Sequence, residues 1–326
     1  MRISLVLCTY NGARFLPAQL DSLLTQTRLP DEIIICDDAS SDNSMALLDA
    51  FAARMRTHSV HVHLHQHPEN QGFVHNFSGA LCRTSGDIVF LCDQDDVWHA
   101  DKIARMAAEF AQRPDLELLH TDARLIDAQG HVLDYTLFDA LELSAAEREA
   151  EHAGQAFDVL LNRNTVTGAT AAFRQRLIAR ALPVPDGWIH DEWLAICASL
   201  DGSVDLLEWP SIDYRQHENN QIGIRLYSPW ERLTRRKLSK REHMQRIASR
   251  LQSLLQHQQE AAISSPLTAQ RMDNIRARAA HAHFRGHLPA SLWPRIRGVW
   301  AETWNGHYWR YSGGIRSIIS DLIDWG

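Results

Sequence analysis

Short apolar runs alternate with stretches of helical periodicity through the first 120 residues. Ile3–Cys8 is unbroken apolar or small, and within Arg14–Gln26 the residues Phe15, Leu16, Leu20, Leu23 and Leu24 recur at helical spacing. Glu32–Cys36 predicts a second strand. The turn-rich Asp37–Asp42 follows and is placed to cap a helix through Met45, Leu47, Leu48 and Phe51. Val60–Leu64 alternates with period two; His61 and His63 share one side with no third partner nearby, and read as solvated strand residues rather than ligands. Asn70–Ser85 reads as a loop entering a helix. A fourth strand, Asp87–Cys92, stops at Asp93-Gln94-Asp95-Asp96. Alternation of this kind predicts an α/β fold, a mostly parallel Rossmann-like sheet flanked by helices.

Beyond Asp122 the order loosens. Asp127–Ala156 holds a turn at Ala128-Gln129-Gly130 and a Glu-rich piece expected to be a surface insertion. Val166–Phe173 is rich in small residues and expected to lie extended against the sheet. A helix over Asp191–Leu200 and two strands, Val204–Glu208 and Ile212–Gln216, complete the pattern, with the sheet domain ending near Gly223. Arg232–Gln259 and Ala269–His283 are helical patterns rich in Arg, Gln and Ala. The end mixes Trp300, Trp304, Tyr308, Trp309 and Tyr311 with Arg310 and Arg316, then the amphipathic Ile315–Ile323. Two domains are expected, 1–225 and a helical C-terminal extension over 226–326.

Charge sharpens that division. Residues 226–326 carry 16 Lys and Arg against 7 Asp and Glu, which leaves 17 against 33 in residues 1–225. An acidic front argues against a nucleic-acid partner, whose phosphates it repels. The five cysteines, at 8, 36, 82, 92 and 197, show no CxxC spacing and read as reduced, buried thiols of a cytoplasmic protein rather than a zinc site. The opening MRISLVLCTYNG has too short an apolar run for a signal peptide, and no run of about 18 apolar residues occurs. Peripheral attachment at the inner face of the cytoplasmic membrane stays open.

In an open α/β sheet, ligands bind beyond the carboxyl ends of the strands. Three such ends carry polar or acidic groups here: Thr9-Tyr10-Asn11, Asp37-Asp38 and Asp93–Asp96. Asp is common in turns and helix caps, so one cluster alone would be structural. Three acids directly after a buried strand are costly without a ligand. A divalent cation carrying a diphosphate would relieve their repulsion.

These residues also carry a likeness. ISLVLCTYNGARFL, EIIICDDASSDNS, ENQGFVHNF, GDIVFLCDQDDVWHADKI, TGATAAF, WIHDEWLA and YRQHENN, in that order, resemble family 2 glycosyltransferases of the GT-A fold, most closely the bacterial rhamnosyltransferase-like branch. The resemblance implies that Thr9, Tyr10 and Asn11 line the nucleotide pocket. It implies that Asp38, beside Asp37, reads a pyrimidine N3–H, and that Gly72 and Asn76 close over the nucleotide. In Asp93-Gln94-Asp95, similar to the DxD motif, Asp93 would meet the ribose and the metal and Asp95 the metal, with Asp96 facing the sugar. His217 would complete the coordination of Mn²⁺ or Mg²⁺; an imidazole ligand favours manganese. Asp191 falls where the family carries its base, although His190 stands where a Glu is usual, which leaves Glu192 as the alternative.

The same resemblance implies an inverting hexosyl transfer from dTDP-rhamnose or a UDP-sugar to a hydroxyl of a bacterial surface polysaccharide or lipid-linked glycan. The basic, aromatic tail, with Arg235, Arg236, Lys237, Lys240 and Arg241 close together, would rest at lipid headgroups or else pack as an ordinary helical face. The rival class is a non-catalytic nucleotide-sugar or glycan-binding module of the same fold. It would lack Asp95 or Asp191, and both positions are filled. The sequence leaves the oligomeric state unassigned.

Overall fold

Strands buried on both faces read as continuous apolar runs rather than alternating ones, and β1 (Ile3–Thr9), β2 (Glu32–Asp37) and β4 (Ile88–Cys92) are buried at every position. The computed structural model describes residues 1–218, 220, 239–260 and 266–323. The chain divides into two compact units, Met1–Val184 with Ile189–Leu226, and Pro185–Trp188 with Tyr227–Gly326.

In the first unit the elements follow as β1, α1 (Leu16–Leu24), β2, α2 (Ser44–Thr57), β3 (His61–Gln66), α3 (Phe73–Leu81), β4, β5 (Val97–Trp98), α4 (Lys102–Gln112), β6 (Leu116–Ile126), β7 (Val132–Thr136), α5 (Leu137–Ala140), α6 (Ala145–His152), α7 (Ala156–Asn162), β8 (Ala172–Arg174), α8 (Ile178–Ala181), α9 (His190–Asp201) and β9 (Ser203–Arg215). The sheet runs β3-β2-β1-β4-β8-β6-β9-β5, with β7 on β6. Strands β1 to β4, β6 and β9 point one way, and β5, β7 and β8 the other. The order reverses at β1: β2 lies on one side and β4 on the other, so their carboxyl ends open one crevice. The core of Ile3, Leu5, Leu7, Ile33, Ile35, Phe90, Met106 and Phe110 fixes those strands. Each fully buried Ile, Leu or Phe contributes about 1.5–3 kcal/mol.

Three expectations need correction. The two strands expected around Trp209-Pro210 are one, β9, because a register shift against β6 at Asp122–Pro210 absorbs the missing proline N–H. Val166–Phe173 is extended only at its end; Gly168–Thr170 form a 3₁₀ turn before β8. The Glu-rich insertion is not merely superficial, since the fully buried Glu151 bonds His120 Nε2 (2.7 Å) and Thr165 Oγ1 (2.8 Å). Of the cysteines, none is disulfide-bonded and four are buried, but Cys82, just past the end of α3, is exposed. His61 and His63 are exposed, as their alternation predicts.

The insertion carries a pH-sensitive anchor. Ser144 and Glu147 form a capping box at α6, and Arg163 donates from Nε (2.7 Å) and Nη2 (2.9 Å) to the Glu147 carboxylate. Arg163 holds that carboxyl at about 2, below its ordinary 4.5. The stabilisation is complete above the unfolded value and disappears as pH falls toward the folded one. Glu147→Gln should therefore cost about 1–2 kcal/mol near neutrality. The cost should shrink steadily as pH falls below 4.5 in urea-unfolding midpoints; a constant difference across pH would assign the anchor elsewhere.

The second unit is helical: α10 (Lys240–Glu260), α11 (Pro266–Gly286), α12 (Leu292–Trp304), α13 (His307–Tyr311) and α14 (Ile315–Ile323). Gln245 Nε2 donates to the Gly286 carbonyl (3.0 Å), so α10 and α11 run antiparallel. Their buried seam includes Ala248, Leu251, Leu254, Met272, Ile275 and Ala279. The fully buried Asp321 accepts from Arg285 Nε (2.8 Å) and Tyr308 Oη (2.7 Å) and pairs with Lys240. Arg235, Arg236 and Lys237 lie outside the described residues. Among the described residues no helix is long and apolar enough to cross a membrane.

Candidate active site

The end of β1 is tied to the end of β2. Thr9 pairs with Asp37 in the parallel register, and its Oγ1 donates to Asp37 Oδ1 (2.9 Å). Asp37 also accepts from Ser40 N (2.8 Å), Ser40 Oγ (2.5 Å) and Gln66 Nε2 (3.3 Å), so four donors occupy its buried carboxylate. Asn11, in the left-handed region at φ 48°, donates its N–H to Ser40 Oγ (2.8 Å) and accepts Ser41 N–H (2.8 Å). Asp38 accepts the N–H groups of Gln71 (2.7 Å) and Gly72 (2.9 Å), where the chain enters α3. Gly72 sits there at φ 83°, a conformation that favours glycine. Asn76 Nδ2 donates to the Cys36 carbonyl (3.0 Å), while its buried Oδ1 has no hydrogen-bond partner among the described residues. Tyr10 is 42% exposed.

The end of β4 is zipped to β1 by Gln94, which accepts Tyr10 N–H (2.8 Å) and donates to the Tyr10 carbonyl (3.1 Å). A Cβ at Gly12 would lie 2.3 Å from Gln94 Oε1, so a larger residue there would displace the Gln94 side chain from Tyr10. Residue 215 fixes the rest of the acidic loop. Arg215 donates its N–H to Asp96 Oδ1 (3.0 Å) and its Nε to the Asp95 carbonyl (2.8 Å). Two residues on, His217 Nε2 lies 2.7 Å from Asp95 Oδ2, across 122 positions of sequence, and its ring packs on Phe15 at 4.6 Å.

Charge is crowded here. Burial, then Asp95 and Asp191, push Asp93 up to about 7. Burial, then Asp95 and Asp93, raise Asp96 well above its ordinary 3.8, and its buried Oδ2 has no hydrogen-bond partner among the described residues. Beside them is Lys102, fully buried, with Nζ donating to the Ala169 carbonyl (2.6 Å) and lying 3.6 Å from the Trp98 ring centre. Burial draws it down to about 7.

Asp191 enters from the first turn of α9. Its Oδ2 accepts Gly168 N–H (2.8 Å) and its Oδ1 accepts Glu192 N–H (2.7 Å). Burial nevertheless raises its pKa. The buried Tyr214 hydroxyl, raised first by burial, is raised further by Asp96, Asp93, Asp95 and Asp191 together. Cys8, raised first by burial, likewise feels both Asp93 and Asp38. The carboxylates from β2, β4 and α9 thus share one neighbourhood, and Asp191 is the α9 acid whose charge reaches Asp93 and Tyr214. His190 stacks on Phe77 at 4.1 Å, and burial holds it neutral with a pKa of about 3.

Asp95 with His217, and Asp96 with a buried carboxylate oxygen that has no partner among the described residues, offer donors of the kind a divalent cation takes. The group of three such ligand atoms gathered within 4.8 Å among the described residues, however, is His281, Glu302 and His307 of the second unit. Sequence reasoning passed over Lys102, Arg215, Gln94, Gly168 and Tyr214. Lys102 alone left a trace: a lysine opening a helix opposes the helix dipole, and it precedes the apolar stripe Ile103, Met106, Ala107, Phe110.

The sequence profile of the family described as Glycosyl transferase family 2 matches residues 4–179. An uncharacterized glycosyltransferase of Nostoc sp., alr2836, is 26% identical over 227 residues, covering 68% of this chain and 66% of that protein. The first curated relatives are matched over 30% to 66% of their own length. In fold, the chain resembles S. aureus TarS 1-349 in complex with UDP-GlcNAc (TM-score 0.57, 16% identity, 99% of this chain and 82% of that one). It also resembles the mannosyltransferase PcManGT of Pyrobaculum calidifontis in complex with GDP-Man and Mn²⁺ (TM-score 0.51, 18% identity, 99% and 86%).

Proposed function

This chain belongs to glycosyl transferase family 2, and from that premise we propose that it is a metal-dependent, inverting hexosyltransferase whose chemistry lies in residues 1–225. Its sheet and flanking helices have the GT-A architecture of the glycosyltransferases it resembles in fold. The observation that carries the reading is the meeting of Asp95 with His217 at 2.7 Å, in a neighbourhood that also holds Asp93, Asp96 and Asp191.

Asp95, His217 and Asp93 are assigned to a divalent cation, Mn²⁺ ahead of Mg²⁺ because of the imidazole. Bound there, the cation supplies positive charge for a departing diphosphate. The chain supplies the rest. Asp38 reads the base, and its two backbone donors hold it in place for that. Thr9, Tyr10, Asn11, Gly72 and Asn76 line the nucleotide. Asp37, with four internal donors, braces the loop beside them. Asp96 faces the transferred sugar. Asp191, fixed by two N–H groups, accepts the proton of an acceptor hydroxyl as its oxygen attacks the anomeric carbon.

The donor is assigned as dTDP-rhamnose, with UDP-sugars next, on the branch likeness of the sequence. The acceptor is assigned as a hydroxyl of a surface polysaccharide or lipid-linked glycan. A thermal-shift and donor-hydrolysis panel of nucleotide sugars, with and without Mn²⁺, tests this. A sugar-nucleotide that stabilises the protein only with the metal, and is slowly hydrolysed, is the expected result. Binding without any turnover would favour the non-catalytic module, and no binding with or without metal would end the proposal.

A further inference from the structure

The most exposed apolar surface among the described residues is confined to one short stretch. Nine large hydrophobic side chains of residues 292–323 are exposed: Leu292, Trp293, Ile296, Trp300, Trp304, Trp309, Ile315, Ile319 and Ile323. Only Met1, Tyr10 and Val132 are comparably exposed elsewhere among the described residues. Trp293 is 76% exposed, Trp300 68% and Trp304 81%. Single exposed hydrophobics are ordinary, but a contiguous set marks a surface with a partner.

Spacing shows that the set is organised. Trp293, Ile296, Trp300 and Trp304 recur every three or four residues and form one stripe of α12, while Arg295 and Val299 on the other side are buried. Ile315, Ile319 and Ile323 form a stripe on α14, which packs against α12. The core-facing side of α14 is separately filled by Ile318 and Leu322 against Leu288, Val299 and Tyr308. Each helix already has its own buried face, so packing within the unit does not account for the outer stripes. Trp300 and Trp304 stack at 6.4 Å and, with Thr303, line an open surface cavity of about 340 Å³.

The exposed charge of the stretch is of one sign. Arg297, Arg310 and Arg316 are exposed. The two acids are withdrawn: Glu302 is bonded to His281 Nδ1 (2.5 Å) and His307 Nδ1 (2.9 Å), and Asp321 to Arg285 and Tyr308. Exposed tryptophans, aliphatics on an amphipathic helix and exposed arginines, with no exposed acid among the described residues of the stretch, are the composition of a helix lying in a lipid headgroup layer.

We propose that α12–α14 form a docking surface for an anionic bilayer, with Trp293, Trp300, Trp304 and Ile319 entering the headgroup region and Arg297, Arg310 and Arg316 meeting lipid phosphates. The surface stands independently of the transfer reaction. It rests on the proposed function only in giving an enzyme with a lipid-linked acceptor a reason to sit there.

Co-sedimentation of the full chain with phosphatidylcholine vesicles, with and without phosphatidylglycerol, tests this alongside donor hydrolysis and sedimentation velocity. Wild type is expected to bind phosphatidylglycerol vesicles and to weaken with salt. Trp300→Gln/Trp304→Gln/Ile319→Gln should lose binding by about tenfold or more. Arg297→Gln/Arg310→Gln/Arg316→Gln should lose the preference for phosphatidylglycerol, on the order of fivefold per arginine. Donor hydrolysis should be unchanged in both. Wild type that ignores both vesicles, or a tryptophan variant that binds as well as wild type, would overturn the proposal. A wild-type dimer that the tryptophan variant breaks would also overturn it, giving the surface to a second copy. Vesicle binding by a protein that hydrolyses no donor would leave this surface standing and remove the transfer reading alone.

Discussion

Asp191→Asn is expected to bind donor and metal normally and to lose transfer by about 10²-fold or more, the scale of a positioned general base. The substitution keeps the size of the side chain and removes its ability to take a proton. One of the two backbone donors that now hold the carboxylate, Gly168 N–H or Glu192 N–H, would face an amide NH₂ instead. A thermal melt should register that as a modest loss. The pH profile separates the base from a structural role. Burial raises the Asp191 pKa, and only the ionised form can accept the acceptor's proton. For wild type, kcat/KM should therefore rise with pH through a value above the ordinary 3.8 of an aspartate, and the variant should lose that limb. His190 does not confuse the profile, because it stays neutral above about 3. Near-normal transfer by Asp191→Asn would show the base to be wrongly assigned.

Asp95→Ala should lose turnover by on the order of 10²–10³-fold, and what remains should no longer respond to Mn²⁺. The loop should survive the change, since Arg215 grips the backbone carbonyl of Asp95 and the carboxylate of Asp96, neither of which is altered. Only the contact to His217 Nε2 disappears. Removing one of three crowded carboxylates should also ease Asp93 and Asp96, both of which Asp95 raises. Mn²⁺ titrations of donor binding and hydrolysis read both effects. A variant that keeps metal-stimulated turnover would move the cation site away from Asp95.

The legible parts of the site were those in which one segment carries the signal. Asp93–Asp96 follow a buried strand directly, and the cost of burying acids there is visible in sequence. Asp37 and Asp38 stand side by side in sequence, and there only the family likeness favours Asp38. The structure separates them: Asp37 is occupied by side chains and loop, Asp38 by the backbone entering α3. Asp191 and Glu192 are adjacent in sequence, where only the family likeness favours Asp191. In the structure the charge of Asp191 acts on Asp93 and Tyr214, and the base assignment itself is what Asp191→Asn tests. In the tail, five aromatics read alike by composition, yet Tyr308 is fully buried on Asp321 while Trp300, Trp304 and Trp309 face outward.

What the sequence determined by itself is what local chemistry sets: strand against helix from the period of the apolar positions, the crevice at β1, β2 and β4 from polar residues at strand ends, and the family from ordered motifs. What only the tertiary structure decided is which distant groups share an electrostatic neighbourhood. His217 reaches Asp95 because β9 runs parallel to β6 beside the β5 edge, and Lys102 reaches the acids because α4 buries its first residue rather than its last. Periodicity records which face of an element is buried, but it carries no record of which other element covers that face. Pairing and Coulomb interaction depend on that second fact, falling off with distance in space and not with separation along the chain.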